Sequence, residues 1–250
     1  MVEISSSKNQ KIKEIYSLYD KKERNQRKEF LVEGHHLIDE ALKANQLCYI
    51  VTNNKIDFEK YGVDGYFVSS DIIKKVSSTI NTQGIVGVVK MKQFNKADMI
   101  SIIKKNKKFI ILDNINDPGN LGTIIRTAAS LGVDAIFVSE ETVDMYNEKV
   151  IRATQGAIFK IPVIRCDLKE VIGELKENGV CIYGTSLNAK VSLNEVTKKD
   201  KLVLVFGNEA NGVREEIQRL VDENFLIPMK NNVESLNVAI ACAICVYALM

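Results

Sequence analysis

The sequence predicts an α/β protein, a parallel sheet covered by helices on both faces and preceded by a smaller α/β domain. Three observations carry this. From about residue 106 onward, short and nearly continuous apolar runs alternate with helical patterns, as expected of strands buried on both faces. Hydrophobic residues make up 46% of the 250, enough for a substantial core. Between the two parts, residues 93–105 set Lys, Asn and Asp around a short helical pattern. They read as a linker joining domains at 1–92 and 106–250.

In the first domain the periodicity predicts a helix over 10–20, an apolar stretch at 30–32, a helix over 35–44, and strands at 48–52, 65–68 and 85–89. The second domain opens with a strand at 109–112, a helix over 122–131, a strand at 135–138, a helix over 147–153, a strand at 162–164 and a helix over 168–177. Strands at 180–184 and 201–206, a helix over 213–220, a strand at 225–227 and a closing apolar helix over 238–250 complete the series. In such a sheet the ligand belongs at the carboxyl ends of the strands.

Composition narrows the function class. The first ten residues lack the apolar region of a signal peptide, and the uncharged run 235–250 is shorter than the ~20 residues of a membrane span. These features predict a cytoplasmic protein with no membrane association. Five cysteines, an odd number scattered through apolar segments, read as reduced thiols rather than a disulfide framework. Cys242 and Cys245 form a C-x-x-C, but inside an apolar helix with no histidine nearby, so no metal is expected. The net charge of +2 conceals a basic front: residues 8–28 hold eight Lys/Arg against three Asp/Glu. A solvated helical face is the ordinary explanation, and a phosphate-binding surface is the functional one.

Three polar loops leave predicted strand ends. In "NINDPGNLG", residues 114–122, Asp117-Pro118-Gly119 is turn chemistry and Asn120 suits a helix N-cap. Arg126 then falls inside an otherwise apolar helix, where a cation calls for an anionic partner. "GNEANG", residues 207–212, has glycines but no Walker lysine, because Val213 stands there. Its Glu209 could pair with Arg126. In the third loop Ser235 is expected to cap the closing helix, whereas Asn237 has no local reason to be there. Asn120, Arg126, Glu209, Ser235 and Asn237 offer no nucleophilic His or Cys and no carboxylate cluster for a metal. They suit the orientation of a hydroxyl and a phosphate.

"LDNINDPGNLGTIIRTAASLG", "LVFGNEANGV" and "IPMKNNVESLNVAIA" resemble, in order and spacing, the three signature motifs of the SpoU (TrmH-like) RNA 2′-O-ribose methyltransferases, and "IRATQGAIFKIPV" matches a segment between the first two. The front, "KNQKIKEIYSLYDKKERNQRKEFLVEGHHLIDEAL", resembles the family's RNA-binding domain. The resemblance implies a SPOUT-type parallel sheet with a C-terminal trefoil knot, which connection rules alone would argue against. It implies S-adenosyl-L-methionine as cofactor, with Thr185, Gly207, Ile227, Met229 and Leu236 around it. The catalytic positions become Asn120, Arg126, Glu209, Ser235 and Asn237. Asn231 departs from the family by replacing a common glycine, and Ala210-Asn211 replaces a glycine-containing pair. The implied substrate is structured RNA, ribosomal RNA first, with transfer RNA or a non-catalytic RNA-binding protein on the same fold as alternatives. Arg126 is open to two roles, base or phosphate clamp, with a substrate-assisted base as a third route. The closing helix has no charged face, so it must be covered on every side. The resemblance implies a homodimer through it, bringing Arg152 and residues 147–156 near the partner's active site, with the first domain folded back over it in a monomer as the alternative.

Overall fold

A computed structural model describes residues 1–231 and 234–250. Asn232 and Val233, inside the polar loop expected before Ser235, lie outside the described residues. By contacts the chain forms two compact units, Met1–Gln93 with Tyr146–Phe159, and Phe94–Met145 with Lys160–Met250.

The first unit contains β1 (Val2–Ile4), α1 (Gln10–Ser17), α2 (Lys21–Arg27), β2 (Glu29–Glu33), α3 (His35–Lys43), β3 (Leu47–Thr52), α4 (Ile56–Tyr61), β4 (Gly65–Val68), α5 (Ser70–Val76) and β5 (Ile85–Lys90). Its sheet runs β1-β4-β3-β5-β2. The pairs β1/β4 and β3/β4 are parallel, and β5 is antiparallel to both β2 and β3. The helix expected over 10–20 ends at Ser17, because Asp20 caps a second helix by accepting from the N–H groups of Lys22 and Glu23. That second helix, KKERNQR, has no apolar period to announce it. Part of the basic front is structural. Arg24 is buried and donates to the carbonyls of Leu18 and Tyr19 at 2.8 and 2.7 Å, and Arg27 pairs with Glu29 at 2.8 Å. Lys8, Lys13, Lys21, Lys22 and Lys28 stay exposed.

The second unit begins with α6 (Lys96–Lys105), within the stretch read as a linker. A reciprocal capping box between Asn95 and Asp98 starts it, and Met99 and Ile103 bury into the same core as Phe109 and Ile111. Then come β6 (Lys108–Leu112), α7 (Pro118–Ser130) and β7 (Ala135–Val138). The chain next contributes α8 (Glu148–Thr154) to the first unit, where Tyr146 and Phe159 flank the Phe30 ring at centroid distances of 4.7 and 6.2 Å. It continues with β8 (Val163–Arg165), α9 (Leu168–Glu177), β9 (Cys181–Thr185), β10 (Val191–Ser192), β11 (Leu202–Phe206), α10 (Glu215–Gln218), β12 (Glu223–Leu226) and α11 (Val238–Leu249).

All pairs in this sheet, ordered β10-β12-β9-β11-β6-β7-β8, are parallel. The apolar runs explain its centre. Every residue of β11, LVLVF, is buried, and each such side chain contributes roughly 1.5–3 kcal/mol by leaving water. The order reverses beside β6: β7 and β8 lie on one side, β11, β9 and β12 on the other. Loops following β6, β9, β11 and β12 therefore gather at one end of the sheet.

Candidate active site

The loop after β6 starts α7 earlier than expected. Asp117, not Asn120, is the N-cap, accepting from the Asn120 N–H at 2.7 Å, and Pro118 occupies the first turn. Asn120 is thus free of capping and projects its amide from the first turn of α7. At α11 the expected cap is also displaced. Asn237 caps the helix, its Oδ1 accepting from the N–H groups of Ala239 and Ile240 at 2.9 and 3.3 Å. Ser235 lies two residues earlier, exposed in the preceding loop.

These two displacements build one structure. With its oxygen committed to the helix, Asn237 turns its Nδ2 to the Oδ1 of Asn120 at 2.8 Å. Asn120 in turn donates from Nδ2 to Glu209 at 3.0 Å. The backbone N–H groups of Asn116 and Asp117 also donate to the Glu209 carboxylate, each at 3.3 Å. The result is an amide relay running from the start of α11 through α7 to the loop after β11. Its polarity follows from its ends: an N–H pair at one, a carboxylate at the other. Burial pushes the Glu209 carboxyl up, but the bond from Asn120 and those from backbone N–H groups outweigh it and leave it below its ordinary value.

The anticipated pairing of Arg126 with Glu209 is not found. Glu209 is taken by Asn120 and the 116–117 backbone, and Arg126 stands exposed on α7 with no ion pair among the described residues.

Two features missed in the sequence hold the loop after β11. Asp113, fully buried at the end of β6, accepts from the Arg214 backbone N–H and from its Nε, each at 2.8 Å, and pairs with Nη2 at 2.8 Å. The hydrogen bond to Asp113 raises the Arg214 guanidinium, against a smaller opposing effect of burial. Asn208 spans the loop, exchanging backbone bonds with Gly212 at 2.9 Å each way and donating from Nδ2 to the Asn114 carbonyl at 2.8 Å. A carboxylate directly after the apolar run FIIL was the available signal for Asp113. Gly207 is required by space: a Cβ there would lie 2.1 Å from the Gly212 carbonyl carbon. Asn231 adopts φ of 60°, a left-handed conformation that asparagine tolerates in place of the family's glycine.

A cavity of about 430 Å³ opens at the ends of β9, β11 and β12, within the range of small-molecule sites. Thr185, Gly207, Ile227, Met229 and Leu236 all line it, as do Glu209 and Ser235. Asn120, Arg126 and Asn237 are not among its lining residues. The Thr185 hydroxyl donates to the Val205 carbonyl at 2.9 Å, so it serves the sheet. Phe206, Phe225, Val238 and Ala241 supply apolar surface. Apolar walls with exposed loop backbone at the rim fit a nucleoside-bearing cofactor, and the donor set is wrong for a metal. Among the described residues no group of three or more His, Cys, Asp or Glu could hold a metal ion. All five thiols are free, and burial pushes Cys245 up to about 12.

Comparison with known proteins agrees with this architecture. Residues 107–247 match the SpoU rRNA Methylase family, and residues 9–87 match the MRM3-like substrate binding domain. The 23S rRNA (guanosine(2553)-2'-O)-methyltransferase RlmP of Bacillus subtilis (strain 168) is 38% identical over 254 residues, covering 100% of this chain and 99% of that protein. A crystal structure of an AdoMet bound rRNA methyltransferase from Sinorhizobium meliloti superposes with a TM-score of 0.88 at 29% identity, over 99% of this chain and 96% of that one. A putative RNA methyltransferase of the TrmH family from Porphyromonas gingivalis gives 0.82 at 26% identity, over 95% and 96%. With the matched segment spanning the whole parallel sheet and its three motif loops, this chain belongs to the SpoU rRNA methylase family.

Proposed function

We propose that this chain methylates a ribose 2′-hydroxyl of ribosomal RNA, using S-adenosylmethionine. The observation that carries the reading is the relay Asn237–Asn120–Glu209, which joins all three motif loops beside a cavity at the strand ends. The cofactor supplies an activated methyl group on a sulfonium. Thr185, Gly207, Ile227, Met229 and Leu236, which line the cavity, would hold it through apolar contact and loop backbone. The protein's task is alignment of the attacking oxygen.

The residues divide that task. Glu209, held ionised by its donors, anchors the 114–120 loop and is a poor proton acceptor at neutral pH. Arg126, with no ion pair among the described residues, clamps the phosphate next to the target ribose, a role suited to a guanidinium that scarcely deprotonates. Ser235 orients the ribose from the cavity wall. Asn120 and Asn237 fix the distance between α7 and α11.

The unit of residues 1–93 with 146–159 serves as the RNA-binding domain, and residues 94–145 with 160–250, α6 included, as the catalytic domain. The C-terminal segment is threaded as a trefoil knot. Supporting this, the chain places β12 outside β9 and then returns to pack α11 against α7 and β11. The chain also works as a homodimer through α11. This helix buries Val238, Cys242, Cys245, Val246 and Leu249, yet leaves Ile240, Ile244 and Tyr247 exposed, a stripe at helical spacing that another subunit would cover. A ribosomal substrate places the protein in the cytoplasm, and no described helix is long and apolar enough to cross a membrane.

The test is methyl transfer from labelled S-adenosylmethionine to ribosomal RNA taken from cells lacking the protein, followed by mapping of the product. One alkali-resistant ribose methylation is expected. Label on a base, or no transfer to ribosomal RNA with robust transfer to transfer RNA, refutes the assignment.

A further inference from the structure

Residues 77–83, SSTINTQ, connect α5 to β5 inside the first unit. Polar loops of this kind are commonly loose, but this one is pinned. The Glu33 carboxylate accepts from the Ser78 N–H and Oγ at 2.9 and 3.0 Å, from the Thr79 N–H at 3.2 Å, and from the Thr79 hydroxyl. Ser77 donates to the Thr82 hydroxyl at 2.8 Å, and Arg152 donates to the Ser78 hydroxyl at 2.6 Å. Gln83 closes the far side by accepting from the His35 N–H at 3.0 Å. Gly34, with φ of 90°, lets this happen, since a Cβ there would lie 2.9 Å from the Gln83 oxygen.

On this fixed loop Ile80 is 97% exposed. A branched apolar side chain held almost wholly in water adds nothing to packing, and a rigid loop prevents it from folding away. Beside it lies a cavity of about 220 Å³, lined by His36, Thr79, Asn81, Gln83, Arg152 and Gln155. The cavity falls below the usual 300–1,000 Å³ of cofactor sites. Its chemistry is amide, imidazole and guanidinium, with the Glu33 carboxylate also in the wall. Amides and imidazole can read the edge of a base, and a guanidinium can hold a phosphate. Arg152 uses one donor on Ser78, leaving other arms of its fork for an anion. The Glu33 charge at the rim is directed at four donors of the loop itself.

We infer that this cleft receives one unpaired nucleotide of the RNA, with Ile80 packed on the exposed base face, Asn81, Gln83 and His36 at its edge, and Arg152 on its phosphate. Apolar side chains that abut or separate bases are a recurrent device for selecting unstacked nucleotides. The inference rests on the reading of this unit as an RNA-binding domain and names the part of it that selects loops over duplex.

The chain contains no tryptophan, so Ile80→Trp in the full-length protein introduces a single reporter. Two probes are compared: an RNA hairpin with an unpaired loop, and a blunt duplex of the same stem. Hairpin binding should quench Ile80→Trp emission, whereas Ile56→Trp, on α4 and also exposed to solvent, should be unchanged. Ile80→Ser should weaken hairpin binding about tenfold, as expected for loss of one base contact, and leave duplex binding and cofactor affinity unaltered. Because Ile80 touches little of the fold, thermal unfolding should not change. Wild-type hairpin affinity in Ile80→Ser, with no quenching in Ile80→Trp, overturns the cleft while leaving RNA binding by the domain intact. Failure of the wild-type protein to bind either RNA overturns both the cleft and the broader reading.

Discussion

Replacing Gly207 by alanine adds one methyl group at the point where the cavity loop folds on itself. The ideal Cβ would stand 2.1 Å from the Gly212 carbonyl carbon and the Val213 nitrogen, and 2.3 Å from the Gly212 oxygen. Carbon contacts are optimal near 3.5 Å, so the 212–213 backbone must retreat by roughly 1.4 Å. Nothing nearby yields easily. The Asn208–Gly212 backbone pair, the Asn208 bond to Asn114 and the Asp113–Arg214 pair hold both ends of the loop. Overpacking of this kind costs about 2 kcal/mol. For a chain of this size that lowers Tm by about 4–8 °C. The larger effect falls on function, because the displaced loop carries Glu209 and lines the cavity proposed for the cofactor. A misplacement near 1 Å can lower kcat/KM about 100-fold. The assay pairs calorimetric titration of S-adenosylmethionine with methyl transfer and thermal unfolding. Gly173→Ala on α9, where a Cβ meets nothing within 4 Å, is the control and should be neutral or slightly stabilising. Wild-type cofactor affinity and Tm in Gly207→Ala would refute the reasoning.

Asn120→Ala removes the middle of the relay, leaving Glu209 without its side-chain donor and Asn237 without its acceptor. Glu209 has a folded pKa below its unfolded value, so its stabilisation is complete above the unfolded value, about 4.3, and disappears as pH falls through the folded one. Without the Asn120 donor the folded value rises, and acid unfolding should begin at higher pH, with kcat lowered more than cofactor KM. An unshifted acid limb would contradict this. Ile244→Glu places a charge in the exposed stripe of α11. Light scattering should change from twice the 28.0 kDa chain mass to the chain mass itself, with loss of activity. A fully active wild-type monomer would defeat the dimer.

Much of the architecture was legible from the sequence because apolar period is a local property. The runs FIIL, AIFV and LVLVF became β6, β7 and β11, and the alternation with helices became a parallel sheet. The motif loops also announced their residues: Thr185, Gly207, Glu209, Ile227, Met229, Ser235 and Leu236 meet at one cavity. Short or polar elements escaped, among them α2, α4, α5 and β1, since seven or fewer residues carry too little periodicity to stand out. What the tertiary structure alone decided was partnership. Local pattern favoured Asn120 and Ser235 as caps, and Arg126 as the mate of Glu209. The folded chain gave the caps to Asp117 and Asn237 and the carboxylate to Asn120, across separations of 89 and 117 residues in the relay. A hydrogen bond requires about 3 Å and a direction, and those are fixed only when β6, β11 and α11 have been brought side by side.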